Sequence, residues 1–203
     1  KLFQKLWHPK VLKIFKSLSQ NCKYKDKFFE CNILWGDARE KINNIPENIK
    51  FDLIYLDGFS PQKCPQVWSV EFLAKVTQKL HPNGFLITYS SSAAIRKTLR
   101  NFGLNIFNIK PELISKNSWS NGTIAIKKID EVKIQNNIYF KRLSSMEEEH
   151  LLTKASIPYR DPTLSSKAKD IIKERVREQL SSNLKTSKKW RDKWGMTKST
   201  FNS

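Results

Sequence analysis

Glycine is scarce in this chain, with six in 203 residues. None of the six falls in a Gly-x-Gly-x-x-Gly arrangement, so the sequence has no loop of the kind that cradles a dinucleotide pyrophosphate. Cysteine is equally sparse. Cys22, Cys31 and Cys64 are isolated, no Cys-x-x-Cys pair exists, and the three histidines, His8, His81 and His150, are scattered. A structural zinc site needs four ligands at short spacings, so no metal is expected. An odd number of isolated thiols fits a reducing, cytoplasmic setting. Residues 1–10 do not read as a signal peptide, because charge and Trp7 interrupt any apolar run. No stretch of about 18 apolar residues is present, so no spanning helix and no membrane partner are expected. Acidic residues are the last shortage: 19 Asp and Glu stand against 37 Lys and Arg, a net charge of +18.

What remains is enough to fold. Apolar residues make up 39% of the chain, with six Trp and twelve Phe, which supports one hydrophobic core and excludes disorder throughout. Of the cations 29 are Lys, and Asn and Ile are also abundant, a mixture that codon bias alone can produce. A charge of +18 nonetheless costs self-repulsion unless a polyanion uses it, and nucleic acid fits better than a lipid surface.

Periodicity gives the elements. Phe3, Trp7, Val11 and Phe15, widened by Ile14 and Leu18, predict a helix over 1–20 that Pro9 breaks or restarts. Residues 28–35 read as a strand ending at Gly36-Asp37-Ala38, with a short helix over 38–44. Residues 51–56 form the clearest strand, and their near-continuous apolar character predicts a central parallel strand covered on both faces. A helix over 67–80 is expected to stop at His81-Pro82-Asn83-Gly84. Residues 85–89 read as another strand, and Ser90-Ser91-Ser92 opens a helix that Gly103 ends. Residues 104–109 and 123–127 are expected to pair antiparallel around a turn at 118–122. Strand and helix alternate, so the class is α/β.

In an open α/β sheet, ligands bind outside the carboxyl ends of the strands. Three predicted strands end in polar residues: Gly36-Asp37-Ala38, Asp57-Gly58-Phe59-Ser60-Pro61 and Ser90-Ser91-Ser92. A carboxylate there accepts hydrogen bonds from an amine or hydroxyl, and a following glycine lets backbone approach a ligand closely. Asp37 and Asp57 are also ordinary helix-cap and turn residues, so spacing alone leaves both readings open.

The run Leu56-Asp57-Gly58-Phe59-Ser60-Pro61 with Lys63, Pro65 and Trp68, then Pro82-Asn83-Gly84 and Thr88-Tyr89-Ser90-Ser91, closely resembles the methyltransferase module of the MnmC family. Trp35-Gly36-Asp37-Ala38 matches that family's Gly-Asp strand end. The resemblance covers about residues 28–127. It implies a Rossmann-like class I S-adenosylmethionine-dependent methyltransferase sheet that acts on the aminomethyl group of a tRNA wobble uridine. By motif position, Gly36, Asp37, Ala38, Asp57 and Gly58 are the expected cofactor contacts, with Asp37 and Ala38 on the adenine. Asp57 is the expected catalytic residue, near the sulfonium methyl and the substrate amine. Phe59, Ser60, Pro61, Lys63, Trp68 and Ser90 are expected to meet the substrate. Methylation of another substrate and a non-catalytic RNA-binding remnant are the alternatives.

The family's Gly-rich loop after the first strand and the acid after the second have no counterpart here. The sheet is therefore expected to lack its first strands, with an N-terminal part preceding Lys1. Domain organisation is expected as a partial Rossmann-like domain over 1–140 and a basic helical extension over 141–203. Residues 151–203 carry 13 cations and 5 anions. Their helix is expected to pack through Ala168, Ile172, Val176, Leu180 and Leu184, with Trp190 or Trp194 stacking on an unpaired RNA base.

Overall fold

A computed structural model describes residues 7–110, 122–128 and 138–196. The chain forms two compact units, Lys1–Asn44 and Ile45–Ser203.

In the first unit α1 spans Pro9–Asn21. Pro9 restarts the helix rather than breaking it: a proline suits the first helical position, and His8 ahead of it is extended, its Nδ1 accepting from the Lys10 amide at 3.2 Å. Residues 1–6 of the predicted helix lie outside the described residues. The strand predicted over 28–35 shrinks to β2, Glu30–Asn32, which pairs antiparallel with β1, Lys23–Lys25, in a hairpin of its own. The reason is Asp26, whose Oδ1 accepts from the amides of Phe28 (2.8 Å) and Phe29 (3.1 Å) and turns the chain back. The short helix α2, Ala38–Lys41, follows and tightens into a 3-10 turn at Ile42–Asn44.

The second unit holds a five-stranded sheet. Its strands are β3 (Phe51–Tyr55), β4 (Leu80–Thr88), β5 (Asn105–Ile109), β6 (Thr123–Ile126) and β7 (Phe140–Arg142), in spatial order β3-β4-β6-β5-β7. β3 and β4 are parallel, and the other neighbours are antiparallel. The first four strands of that order reproduce the 4-5-7-6 half of the 3-2-1-4-5-7-6 methyltransferase arrangement. The β5–β6 pair forms as expected; most of the turn between them lies outside the described residues.

Among the described residues β3 pairs with β4 alone, and Phe51, Leu53 and Tyr55 are exposed, Tyr55 to 70%. The helix expected to stop at 81–84 ends at Gln78, and the residues 81–84 themselves bulge within β4. The pairing slips from Phe51↔Leu80 to Leu53↔Phe85, and a Cβ on Gly84 would lie 2.8 Å from the Phe51 carbonyl oxygen. The helix itself, α3 (Val70–Gln78), is capped by Ser69, whose Oγ accepts from the Phe72 amide, and follows a 3-10 turn at Pro65–Trp68.

The helix α4 spans Ala93–Asn101 and buries Ile95 and Leu99 against the sheet, while Phe107, Ile124, Ile126 and Phe140 form an apolar cluster. Residues 141–196 are part of this same unit, so the boundary expected near residue 140 falls inside it: β7 adds to the sheet edge there. The helix α5, Ser145–His150, is opened by a reciprocal capping box of Ser144 and Glu147. The helices α6, Ala168–Ser181, and α7, Ser187–Lys193, follow. The expected stripe on α6 is corrected. Ile171 is the buried residue, Arg175 lays its guanidinium 4.4 Å over the Tyr159 ring, and Val176, Leu180 and Leu184 are exposed. A long arginine stem covers apolar surface as well as an aliphatic residue does, so counting apolar positions chose the wrong face.

At the centre Arg96 is 1% exposed. Its guanidinium donates to Glu147 Oε1 (2.8 Å), Thr123 Oγ1 (2.8 Å) and the Gly122 carbonyl (2.9 Å). Thr123 in turn donates to the Ser90 carbonyl at 2.6 Å. One buried ion pair thus ties α4, β6 and α5 to the end of β4.

Candidate active site

The parallel pairing of β3 with β4 sets Tyr55 opposite Ile87, so the two strands end side by side, one leading to Asp57 and the other to Ser90. Asp57 is exposed, and its carboxylate has no hydrogen-bond partner among the described residues. It is thus not a helix cap, and its oxygens are available to a ligand.

The chain after Asp57 is held from below. The Trp68 indole N–H donates to the Phe59 carbonyl at 2.7 Å, and the Tyr89 hydroxyl donates to the Gly58 carbonyl at 2.8 Å. The two rings meet edge-on, their centroids 6.0 Å apart. Burial, with the nearby charges of Asp57 and Cys64, raises the Tyr89 phenol above its ordinary pKa, which keeps it a donor. Gly58 is required by space, since a Cβ there would lie 2.7 Å from Val67 Cγ2. The Ser60 carbonyl accepts from the amides of Lys63 and Cys64, closing the turn. The result is a fixed loop that projects Phe59, 78% exposed, beside Asp57.

Of the expected substrate contacts, Phe59 and Lys63 are exposed, while Ser60 and Pro61 are half-buried. Trp68 is fully buried, its indole the support under the loop. Ser90 is 5% exposed; its carbonyl accepts from Thr123, and its Oγ accepts from the Ser92 amide at 3.4 Å. Gly36, Asp37 and Ala38 lie in the first unit. There Gly36 adopts φ +127°, a conformation open to glycine and strained for other residues, just before α2. Asp37 caps α2: its carboxylate accepts from the Arg39 amide (2.9 Å) and pairs with the Arg39 guanidinium (2.6 Å). Those Arg39 bonds hold the Asp37 carboxyl below its ordinary pKa.

The sequence alone assigns no role to Tyr89 or Arg96. Tyr89 belongs to the run that carries the resemblance, and its signal is an aromatic hydroxyl at the end of the strand neighbouring a glycine loop. Arg96 sits between Ile95 and Leu99 on the inward face of α4, a position where a charge requires a buried partner. No group of three or more His, Cys, Asp or Glu side chains suited to a metal occurs among the described residues, and no described helix is long and apolar enough to cross a membrane.

Comparison with known proteins follows this geometry. Residues 1–123 match the family described as S-adenosyl-L-methionine-dependent methyltransferase. The uncharacterized protein MJ0670 of Methanocaldococcus jannaschii is 31% identical over 164 residues, covering 79% of this chain and 42% of that protein. The tRNA 5-methylaminomethyl-2-thiouridine biosynthesis bifunctional protein MnmC of Campylobacter hominis is 31% identical over 113 residues, covering 52% of this chain and 16% of that protein. The crystal structure of MnmC2 from Aquifex aeolicus superposes with a TM-score of 0.69 at 25% identity, covering 83% of this chain and 51% of that one. The chain therefore spans about half or less of the length of these relatives. The family match runs through both strand ends that flank Asp57, and the superposition extends the likeness to most of the sheet and helices: the chain belongs to the MnmC-like family of S-adenosyl-L-methionine-dependent methyltransferases, with a Rossmann-like α/β fold.

Proposed function

We infer that this chain carries the methyl-transfer half of a tRNA modification, acting on the aminomethyl nitrogen of a wobble uridine. The observation that supports this reading most is Asp57: an unpaired carboxylate at a parallel strand end, beside a fixed loop that offers one exposed aromatic ring.

The residues present fit the sulfonium end of S-adenosylmethionine. An unpaired carboxylate attracts a positive sulfur, and Gly58 keeps the neighbouring backbone free of a side chain. Within the first unit the Ala38 amide at the head of α2 and the Asp37 carboxylate, paired with Arg39, are the groups of a kind that can meet an adenine edge. The cofactor supplies an electrophilic methyl group. The chain's own residues then do three things. Asp57 orients the substrate amine in its neutral form and accepts the proton released as the new N–C bond forms. Phe59 stacks on the uracil ring and fixes the nucleophile in line, where most of the acceleration arises. Lys63 meets a neighbouring phosphate. Attraction between Asp57 and the sulfonium tightens ground-state binding and by itself does not raise the rate.

The test is methyl transfer from labelled cofactor by the full-length protein to tRNA bearing the aminomethyl group and to tRNA lacking it. Label is expected only in the first. Equal labelling of both, or labelling of neither, overturns the reading.

A further inference from the structure

The loop that carries Asp57 has two donors aimed at successive carbonyls, the Trp68 indole and the Tyr89 hydroxyl, and the resemblance gives Tyr89 no role of its own. We propose that Tyr89 is a positioning residue: its hydroxyl, together with the Trp68 indole, clasps the carbonyls of Gly58 and Phe59 so that Asp57 and the Phe59 ring hold one fixed geometry toward the substrate. This rests on the reading of Asp57 given above.

The clasp is local and directional. Both bonds are short, 2.8 Å from Tyr89 and 2.7 Å from Trp68, and both donors come from outside the loop, 31 and 9 residues away in sequence. The Tyr89 ring meets the fully buried Trp68 ring edge-on, a contact that favours the placement of its hydroxyl on the Gly58 carbonyl. Gly58 seals the arrangement, because Val67 and Trp68 occupy the space a side chain would need. A loop with both carbonyls released gains conformers, and a misplacement of about 1 Å in a reacting group is enough to lower turnover sharply. Trp68 serves the core as well as the loop, being fully buried. Tyr89 is half-exposed and is the donor removable without a cavity.

Tyr89→Phe in the full-length protein deletes only the hydroxyl. Turnover on aminomethyl-bearing tRNA is expected to fall about tenfold, with KM for cofactor and RNA and the melting temperature near wild type. Amide exchange at Lys63 and Cys64, whose N–H groups bond the Ser60 carbonyl, is expected to rise several-fold. In a double-mutant cycle with Trp68→Phe, the two losses of turnover are expected to be less than additive, since both act on one loop. Unchanged kcat in Tyr89→Phe, or unchanged exchange at both amides, overturns the proposal. Wild-type protein that fails to methylate this RNA sinks the substrate assignment instead, and the exchange measurement then decides the clasp alone.

Discussion

Asp57 and His150 are titratable side chains in opposite surroundings. Asp57 stands in solvent with its oxygens unpaired, so replacing it is expected to disturb the proposed chemistry and not folding. Asp57→Asn is expected to lower kcat roughly 10²-fold or more while leaving the melting temperature unchanged, measured by single-turnover methyl transfer and thermal unfolding. His150 is stacked on Trp190, ring centroids 4.0 Å apart. Burial, then the charges of Arg96 and Arg191, lowers its pKa to about 4 from 6.5, against the pull of Glu147. The unfolded chain therefore binds a proton that the folded chain refuses. This contribution to stability is whole above pH 6.5 and is lost as the pH falls toward 4, on the order of 3 kcal/mol at completion. Urea midpoints across that window are expected to fall more steeply for wild type than for His150→Phe. The His150 environment is not visible in the sequence, where it follows three glutamates and gives no sign of burial against Trp190.

At the level of elements, the legible features were those set by local chemistry. Pro9 as a helix start, the antiparallel β5–β6 pair and the short helix after Asp37 follow from neighbours a few residues away. The misread ones depend on distant partners. The stripe of the long C-terminal helix is one: α6 turns Arg175 inward because Tyr159 waits there to receive it. The tryptophans of the C-terminal helix separate the same way. Trp190 is 2% exposed and donates to the Met146 carbonyl, so it is core, and of the two rings offered for stacking on a base only Trp194 is left to do so. Trp194 remains 38% exposed, with its N–H on Glu149. Trp190→Ala is expected to cost about 3–5 kcal/mol of stability in denaturant titration. Trp194→Ala is expected to leave stability nearly unchanged and to weaken tRNA binding in a filter assay. Ser144→Ala removes half of the α5 capping box and is expected to cost about 1 kcal/mol in the same titration.

For the molecule as a whole, charge and topology divide the work. A surplus of +18 attracts any polyanion without specificity, and the signature of such attraction is salt. Affinity for tRNA is expected to fall linearly with the logarithm of salt concentration, and Lys63→Ala to make that slope shallower by less than one unit, measured by fluorescence titration. The candidate site was legible at Asp57, Gly58, Phe59 and Lys63 because a short loop brings them together. It was illegible at Tyr89 and Arg96 because sheet pairing and burial bring those two in from elsewhere.

The segment that crosses from α5 to α6 lies against the site's foundations. The Tyr159 carbonyl accepts from the Val70 amide at 2.9 Å, and the Asp161 amide donates to Glu71 at 2.7 Å, both within three residues of Trp68. Residues that look like a detachable appendage therefore share a footing with the candidate site. If the proposed function holds, exchanging this segment between relatives is expected to change turnover as well as RNA preference, because a chimera that alters the Tyr159 footing also shifts the support under Trp68.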